Sequence, residues 1–191
     1  TTEIYTLSLH DALPILFGNH NYENVMAAVA MTVKAGVPLD IIVKVLKAFK
    51  GVEHRIEFVR ELDGVTYYND SKGTNPDSSI KALEAMTKPT LIIAGGYDKH
   101  SEFDGFIDAF GGKVKLMVLI GTTAPQIEKT ARAHGFDNII NTDSLENAVQ
   151  ICHDNAVSGD VVLLSPACAS WDMFKSYEER GRLFKEYVNR F

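Results

Sequence analysis

The chain offers little to a membrane, a disulfide framework or a nucleic acid. No apolar run approaches the ~20 residues of a bilayer-spanning helix, and the first residues carry neither the basic stretch nor the cleavage pattern of a secretory signal. Only two cysteines occur, Cys152 and Cys168, without zinc-ligand spacing or the density of a disulfide scaffold, which points to a reducing cytoplasm. With 19 Lys and Arg against 25 Asp and Glu, the net charge of -6 leaves no footprint for a polyphosphate backbone. Two phosphate-binding fingerprints are also missing. No G-x-G-x-x-G occurs, and Gly111-Gly112-Lys113 runs into Val114 without the leading glycine or the hydroxyl of a G-x-x-x-x-G-K-[ST] loop. What remains is 46% hydrophobic and 23% charged, the composition of an ordinary folded protein, and 191 residues suit one good-sized domain with an appendage.

Thr1–Ile15 has neither helical nor strand periodicity and resembles translated sequencing-adapter text, so we set it apart as a non-native scar. The alternative is a strand or loop of a preceding domain. From Tyr22 to Ala35 small and apolar residues recur at helical spacing until Gly36 and Pro38 end the run, and a second helix is predicted over Leu39–Phe49. Beyond Ile56 strands alternate with helices. Strands are predicted at Ile56–Glu61, Val65–Asn69, Thr90–Ala94, Lys115–Ile120, Asn138–Asn141 and Val161–Ser165. Helices are predicted at Asp77–Met86, Phe103–Phe110, Pro125–His134, Ser144–Ala156 and Phe174–Asn189. The later strands are continuous apolar runs, as expected where helices cover both faces of a parallel sheet. The fold class predicted is therefore α/β: a doubly wound, mostly parallel, Rossmann-like sheet entered through a helical pair.

In such sheets ligands bind beyond the carboxyl ends of the strands, so the loops there carry the chemistry. After Val65–Tyr68 comes Asn69-Asp70-Ser71-Lys72-Gly73-Thr74-Asn75-Pro76, which either offers polar groups to an anion at a helix N-terminus or simply caps that helix. After Thr90–Ala94 comes Gly95-Gly96-Tyr97-Asp98-Lys99-His100, where the glycines admit a ligand or another backbone and Lys99 offers a point charge. After Val161–Leu164 comes Ser165-Pro166-Ala167-Cys168-Ala169-Ser170-Trp171-Asp172, with Ser170 and Asp172 expected to cap the next helix. Cys168 has no histidine placed to activate it and reads as a buried structural thiol. Asn21 and Asn24 sit three apart on one helical face, suited to a nucleobase edge or to N-capping. Arg55, in Glu53-His54-Arg55, is placed to fork onto a phosphate or to pair with Glu53 or Glu57. His20 and His54 lack a carboxylate cluster at ligand spacing, so no metal site is expected.

Taken in order, His-Asn-x-x-Asn, His-Arg-x-Glu, Asn-Asp-Ser-Lys-x-Thr-Asn, Gly-Gly-x-Asp-Lys and Leu-Leu-Ser-Pro-Ala-Cys-Ala-Ser-x-Asp-x-Phe…Arg-Gly resemble the D-glutamate-adding Mur ligases, the MurD family, from about Gly18 to Phe191. Mild departures are Gly73 where Ala is common, Tyr177 where Phe or Tyr occurs, and His100 after the lysine. The resemblance implies ATP-dependent addition of D-glutamate to UDP-N-acetylmuramoyl-L-alanine through an acyl phosphate, with Mg2+ as cofactor, in a cytoplasmic monomer. Beyond the segment 1–15 set apart above, it implies a helical remnant of a central ATP-binding domain over 16–51 and a D-glutamate-binding domain over 52–191. Thr74, Lys99, Ser170 and Tyr177 would hold D-glutamate, with Lys72 assisting Thr74 and Lys99 in catalysis. Asn21 and Asn24 would read adenine, Asp70 the ribose and Arg55 the phosphates. The phosphate loop and magnesium ligands of the family would lie upstream. Alternatives are another Mur or folylpolyglutamate-type amide ligase, a nicotinamide-binding oxidoreductase disfavoured by the missing fingerprint, and a non-catalytic binding fragment.

If the phosphate loop is supplied from outside these residues, the 191-residue chain alone should release no phosphate from ATP when D-glutamate is added. D-glutamate-dependent phosphate release that survives repurification would refute this.

Overall fold

The computed structural model describes residues 19–49, 51–97 and 100–191, with the side chains of Asn19 and His20 left aside. The scar expected at Thr1–Ile15, and with it Lys99, lies outside the described residues. Two compact units divide between Val52 and Glu53.

In the first unit, α1 (Asn19–Lys34) and α2 (Leu39–Ala48) pack through Val25, Tyr22, Val29 and Leu46. Gly36, at φ 81°, ends α1 in a left-handed cap: Val37 N donates to Thr32 O and Gly36 N to Val33 O, both at 3.0 Å.

The second unit is a six-stranded sheet in the order β1-β2-β6-β3-β4-β5. Its elements are β1 (Glu57–Leu62), β2 (Val65–Asn69), α3 (Pro76–Ala85), β3 (Thr90–Gly95), α4 (Asp104–Asp108), β4 (Val114–Ile120), α5 (Ala124–Ala133), β5 (Ile139–Asn141), α6 (Leu145–Asn155), β6 (Val161–Leu164) and α7 (Tyr177–Val188). Asp63 and Gly64, both at positive φ, close the β1–β2 hairpin as an Asp-Gly turn, and this is the antiparallel pair; β2 to β5 run parallel. Strand alternation sorts the core into two layers. Tyr68, Ile92, Met117, Leu119 and Leu163 face α3, α4 and α5, while Tyr67, Leu91, Ile93, Val118 and Val162 face α6 and α7. The doubly wound sheet expected from the apolar runs is what forms. No helix among the described residues is long and apolar enough to cross a membrane.

The winding places the topological switch point between β3 and β6. β3 leads into α4 on one face and β6 leads to α7 on the other, although β3 and β6 are hydrogen-bonded neighbours. The chain therefore leaves these two neighbouring strands toward opposite faces at the carboxyl edge, where ligands of such folds enter.

Two predicted helices shrink. The run over Phe103–Phe110 gives only the five-residue α4, since Phe103 and Phe110 flank it as buried anchors. The helix predicted from Phe174 starts at Tyr177, because neither Ser170 nor Asp172 caps it. Ser176 does, accepting from Glu179 N at 3.3 Å, while Asp172 accepts from Thr122 N at 2.8 Å. Ser176→Ala should lower stability by about 1 kcal/mol. Urea unfolding of the two proteins measures it, and an unchanged midpoint would return the cap to Ser170 or Asp172.

Candidate functional site

Three loops meet at the carboxyl edge, and a buried arginine ties two of them to α7. Arg180 stands on the inward face of α7, three residues after Tyr177 and four before Phe184, and is fully buried. Its Nε donates to Ser71 Oγ (3.0 Å) and its Nη2 to Ser71 O (2.9 Å) and Cys168 O (3.1 Å), with Nη1 3.4 Å from Ala169 O. Burial brings its pKa down to about 10, so it remains a cation at neutral pH. Ser71 Oγ also donates to Tyr177 O at 2.7 Å. In the sequence Arg180 stands in the Arg-Gly pair of the last motif; the signal that marks it is a charged residue in phase with the apolar residues of its helix.

In the loop after β2, Asp70 is only 3% exposed. Its Oδ1 accepts from Ile56 N at 3.2 Å and its Oδ2 from the Ser165 hydroxyl at 2.7 Å; that hydroxyl stands 2.8 Å from Ser79 Oγ, which accepts from Ala167 N at 3.0 Å. Burial raises the Asp70 pKa to about 7 against the opposing pull of Ser165, Ile56 N, Arg55 and Arg180. Asn75 caps α3, accepting from Ser78 N at 2.9 Å. A Cβ on Gly73 would lie 2.6 Å from Asp70 Oδ2 and 2.9 Å from Ser79 Oγ, so the side chain that Gly73 lacks is one this network would have to move to accept. The capping alternative for this loop is thus realised at Asn75. Lys72 and Thr74 stay partly exposed, with Lys72 Nζ 5.7 Å from the Tyr177 ring centroid.

The two glycines after β3 serve backbone approach. A Cβ on Gly95 would sit 2.1 Å from Ile120 O, and one on Gly96 2.3 Å from Ala169 O. Tyr97 and Ala169 exchange both backbone hydrogen bonds at 2.9 Å, joining the β3 and β6 loops directly. Ser170 is buried, its carbonyl accepting from Phe174 N at 2.8 Å, and Cys168 is buried as expected of a structural thiol.

His54 and Ile56 flank the exposed Arg55 at φ 65° and 46°. His54 Nδ1 lies 3.0 Å from the Asn69 amide Nδ2, so Nδ1 is the acceptor, and burial lowers the ring's pKa. The pairing of Arg55 with Glu53 or Glu57 is not what forms: Lys185 Nζ takes both carboxylates, at 2.7 and 2.9 Å. Glu53, His54 and Glu57 make the one group of possible metal ligands among the described residues, and the Lys185 ammonium bonds both of its carboxylates. Asn21 is partly exposed and Asn24 exposed, on the first turns of α1 in the other unit.

Residues 54–168 match the family described as Mur ligase, glutamate ligase domain. The chain belongs to this family. Among curated relatives it is 60% identical over 189 residues to the UDP-N-acetylmuramoylalanine–D-glutamate ligase of Lachnospira eligens, covering 99% of this chain and 42% of the relative. The namesake from Thermoanaerobacter sp. (strain X514) is 57% identical over 173 residues, 90% of this chain and 38% of that one. The chain thus spans about two fifths of the length of these relatives. Solved Mur ligase folds agree: the UDP-N-acetylmuramate-alanine ligase MurC of Thermotoga maritima superposes with a TM-score of 0.69 at 17% identity over 92% of this chain and 39% of its own. The E. coli FolC structure in complex with ADP gives 0.66 at 16% identity over 93% of this chain and 41% of that one.

The raised pKa of Asp70 has a signed consequence. The unfolded carboxyl releases its proton near ~3.9, whereas the folded one holds it to about 7, so between these values the native state binds the extra proton and stability falls as pH rises. Measured against Asp70→Asn, the parent should therefore lose relative stability between about pH 4 and 7 and level off above. A difference that stays flat from pH 4.5 to 7.5 would show that Asp70 is ionised throughout.

Proposed function

We propose that this chain is the amino-acid-presenting part of an ATP-dependent ligase that adds D-glutamate to UDP-N-acetylmuramoyl-L-alanine during cytoplasmic synthesis of peptidoglycan precursors. The observation that carries the reading is family membership together with 57–60% identity to relatives bearing that D-glutamate ligase name. The likeness to folylpolyglutamate-type enzymes is one of fold alone.

In this reaction an oxygen of the alanyl carboxylate takes the γ-phosphoryl group of ATP and ADP departs. The D-glutamate amine then attacks the acyl carbon, phosphate leaves with the electron pair of the broken C–O bond, and the nitrogen gives up a proton to become an amide. Positioning and charge neutralisation govern such phosphoryl transfer. Thr74, Lys99, Ser170 and Tyr177 are assigned to D-glutamate, and Lys72, beside the Tyr177 ring, supports that site. Lys99 meets a carboxylate, Thr74 and Ser170 offer hydroxyls, and the half-exposed Tyr177 ring walls the site. Asn21 and Asn24 are assigned to adenine, Arg55 to the phosphates and Asp70 to the ribose. For Asp70 this requires exchanging one of its two present hydrogen bonds. On this reading residues 16–51 close an ATP-binding domain, residues 52–191 carry the amino-acid site, and the enzyme works as a monomer. Mg2+ does not fit the described residues, whose one candidate group is occupied by Lys185, so its ligands are assigned outside them.

In the enzyme of full length, Lys99→Ala should reduce kcat/KM for D-glutamate by roughly 10- to 160-fold, because one charge-assisted hydrogen bond is worth roughly 1.5–3 kcal/mol and 1.36 kcal/mol is tenfold in rate. The KM for ATP should change far less. Steady-state kinetics with D-glutamate, meso-diaminopimelate, L-Lys and L-Ala also test the amino acid itself. A preference for one of the others, or a Lys99→Ala effect that falls on ATP, would overturn the reading.

A further inference from the structure

Away from the carboxyl-edge loops, one imidazole is bonded at both of its nitrogens to acidic side chains. His134 is the C-terminal cap of α5, and its ring reaches across to α4, where Nε2 lies 2.9 Å from Asp104 Oδ1 and Nδ1 2.8 Å from Asp108 Oδ1. A neutral imidazole has one N–H and one lone pair, so it can donate to only one carboxylate and must present its lone pair to the other. Both contacts are hydrogen bonds only in the imidazolium form. The placement favours that form further, since a cation at the end of α5 meets the negative end of its dipole.

The helix that His134 grips is the shortest in the sheet domain. α4 is five residues long, too short to hold itself by its own ladder, and no side chain caps its N-terminus. Asp104 and Asp108 are its first and last residues, so the two bonds clamp it at both ends, and the second offsets the repulsion of a carboxylate sitting at a helix C-terminus. A third tie from α5 lies just upstream, where the Gln126 amide Nε2 donates to Ser101 O at 3.1 Å.

We propose that His134 is a proton-dependent clip that fastens α4 to α5 when doubly protonated and loosens it when the ring loses a proton. Among the described residues the charges that act on the ring are those of Asp104 and Asp108. Arg132 on α5 is turned to Glu128 and Asp137, the ammonium of Lys113 bonds the carbonyls of Leu83 and Met86, and Lys81 on α3 pairs with Glu84. Both carboxylates raise the histidine pKa. The clip is accordingly complete below the ordinary histidine pKa of ~6.5 and is lost as pH climbs through the raised value. With the carboxylates 65% and 68% exposed, water screens the pairs and the effect is local.

Amide hydrogen exchange in the 191-residue chain tests this, read at Ile107, Ala109 and Phe110 against His134→Gln at matched pH. At pH 6 the variant should exchange faster than the parent by about two- to fourfold, the scale of an exposed ion pair. At pH 9 the two should agree. Asp104→Asn and Asp108→Asn should each lower the His134 pKa followed by NMR. A His134 ring seen as the neutral tautomer at pH 6, or a parent-to-variant ratio that is the same at pH 6 and pH 9, would overturn the proposal.

Discussion

The guanidinium of Arg180 is the constraint on which the carboxyl edge depends. It is wholly buried, yet among the described residues no carboxylate bonds it; its partners there are the carbonyls of Ser71, Cys168 and Ala169 and the Ser71 hydroxyl. An isolated cation in such a place would cost several kcal/mol, and the planar fork offsets this by meeting oxygens of both loops, of which Ala169 O also accepts from Tyr97 N. A lysine would deliver the charge but not the geometry. Through those oxygens one side chain sets the spacing of the β2 loop, with Lys72 and Thr74, from the β6 loop, with Ser170, and fixes both to the helix that begins at Tyr177.

The second buried ionisable group follows from the first. Asp70 lies in the field of Arg180 but is not bonded to it, and spends its oxygens on Ile56 N and the Ser165 hydroxyl. Burial outweighs the attraction, which is why its pKa rises where a direct pair would have lowered it. The carboxyl and the hydroxyls of Ser165 and Ser79 therefore form a neutral-leaning polar core beneath the loops, and Gly73 is the residue whose missing side chain leaves it room.

The sheet was legible because its signals are local. Leu91-Ile92-Ile93, Leu116–Ile120 and Val161–Leu164 could be buried on both faces only inside a parallel stack, and each forms a strand there. Helix starts were harder, since Ser170, Asp172 and Ser176 are all competent caps; Ser176 is the one that caps α7, while Asp172 accepts from Thr122 N. The site was legible as a set of loops but not as a mechanism of assembly. Gly95 and Gly96 could admit ligand or backbone on sequence grounds, and the carbonyls of Ile120 and Ala169 that fill the space come from strands far along the chain. Arg55 faced two nearby acids in sequence, but Lys185, on the last helix, reaches them first. Long-range competition of this kind leaves no periodic trace.

The same competition explains how Arg55 comes to be exposed. A β-branched residue in the left-handed region is a rare conformation costing on the order of 1–3 kcal/mol, and Ile56 adopts it immediately after Arg55, with His54 left-handed on the other side. Such a turn persists only if its surroundings over-determine it. Ile56 is held by its N–H on Asp70 and by burial of its side chain; His54 is held by Asn69, by Glu57 and by the absent side chain of Gly181, whose Cβ would fall 2.3 Å from the ring. With Glu53 and Glu57 claimed by Lys185, neither of the acids beside it in sequence draws the guanidinium down. Arg55 is thus presented outward by a turn that the Asp70 core, the α7 helix and the Lys185 pairs each help to hold, which makes its exposure a product of the whole carboxyl edge and not of its own sequence neighbours.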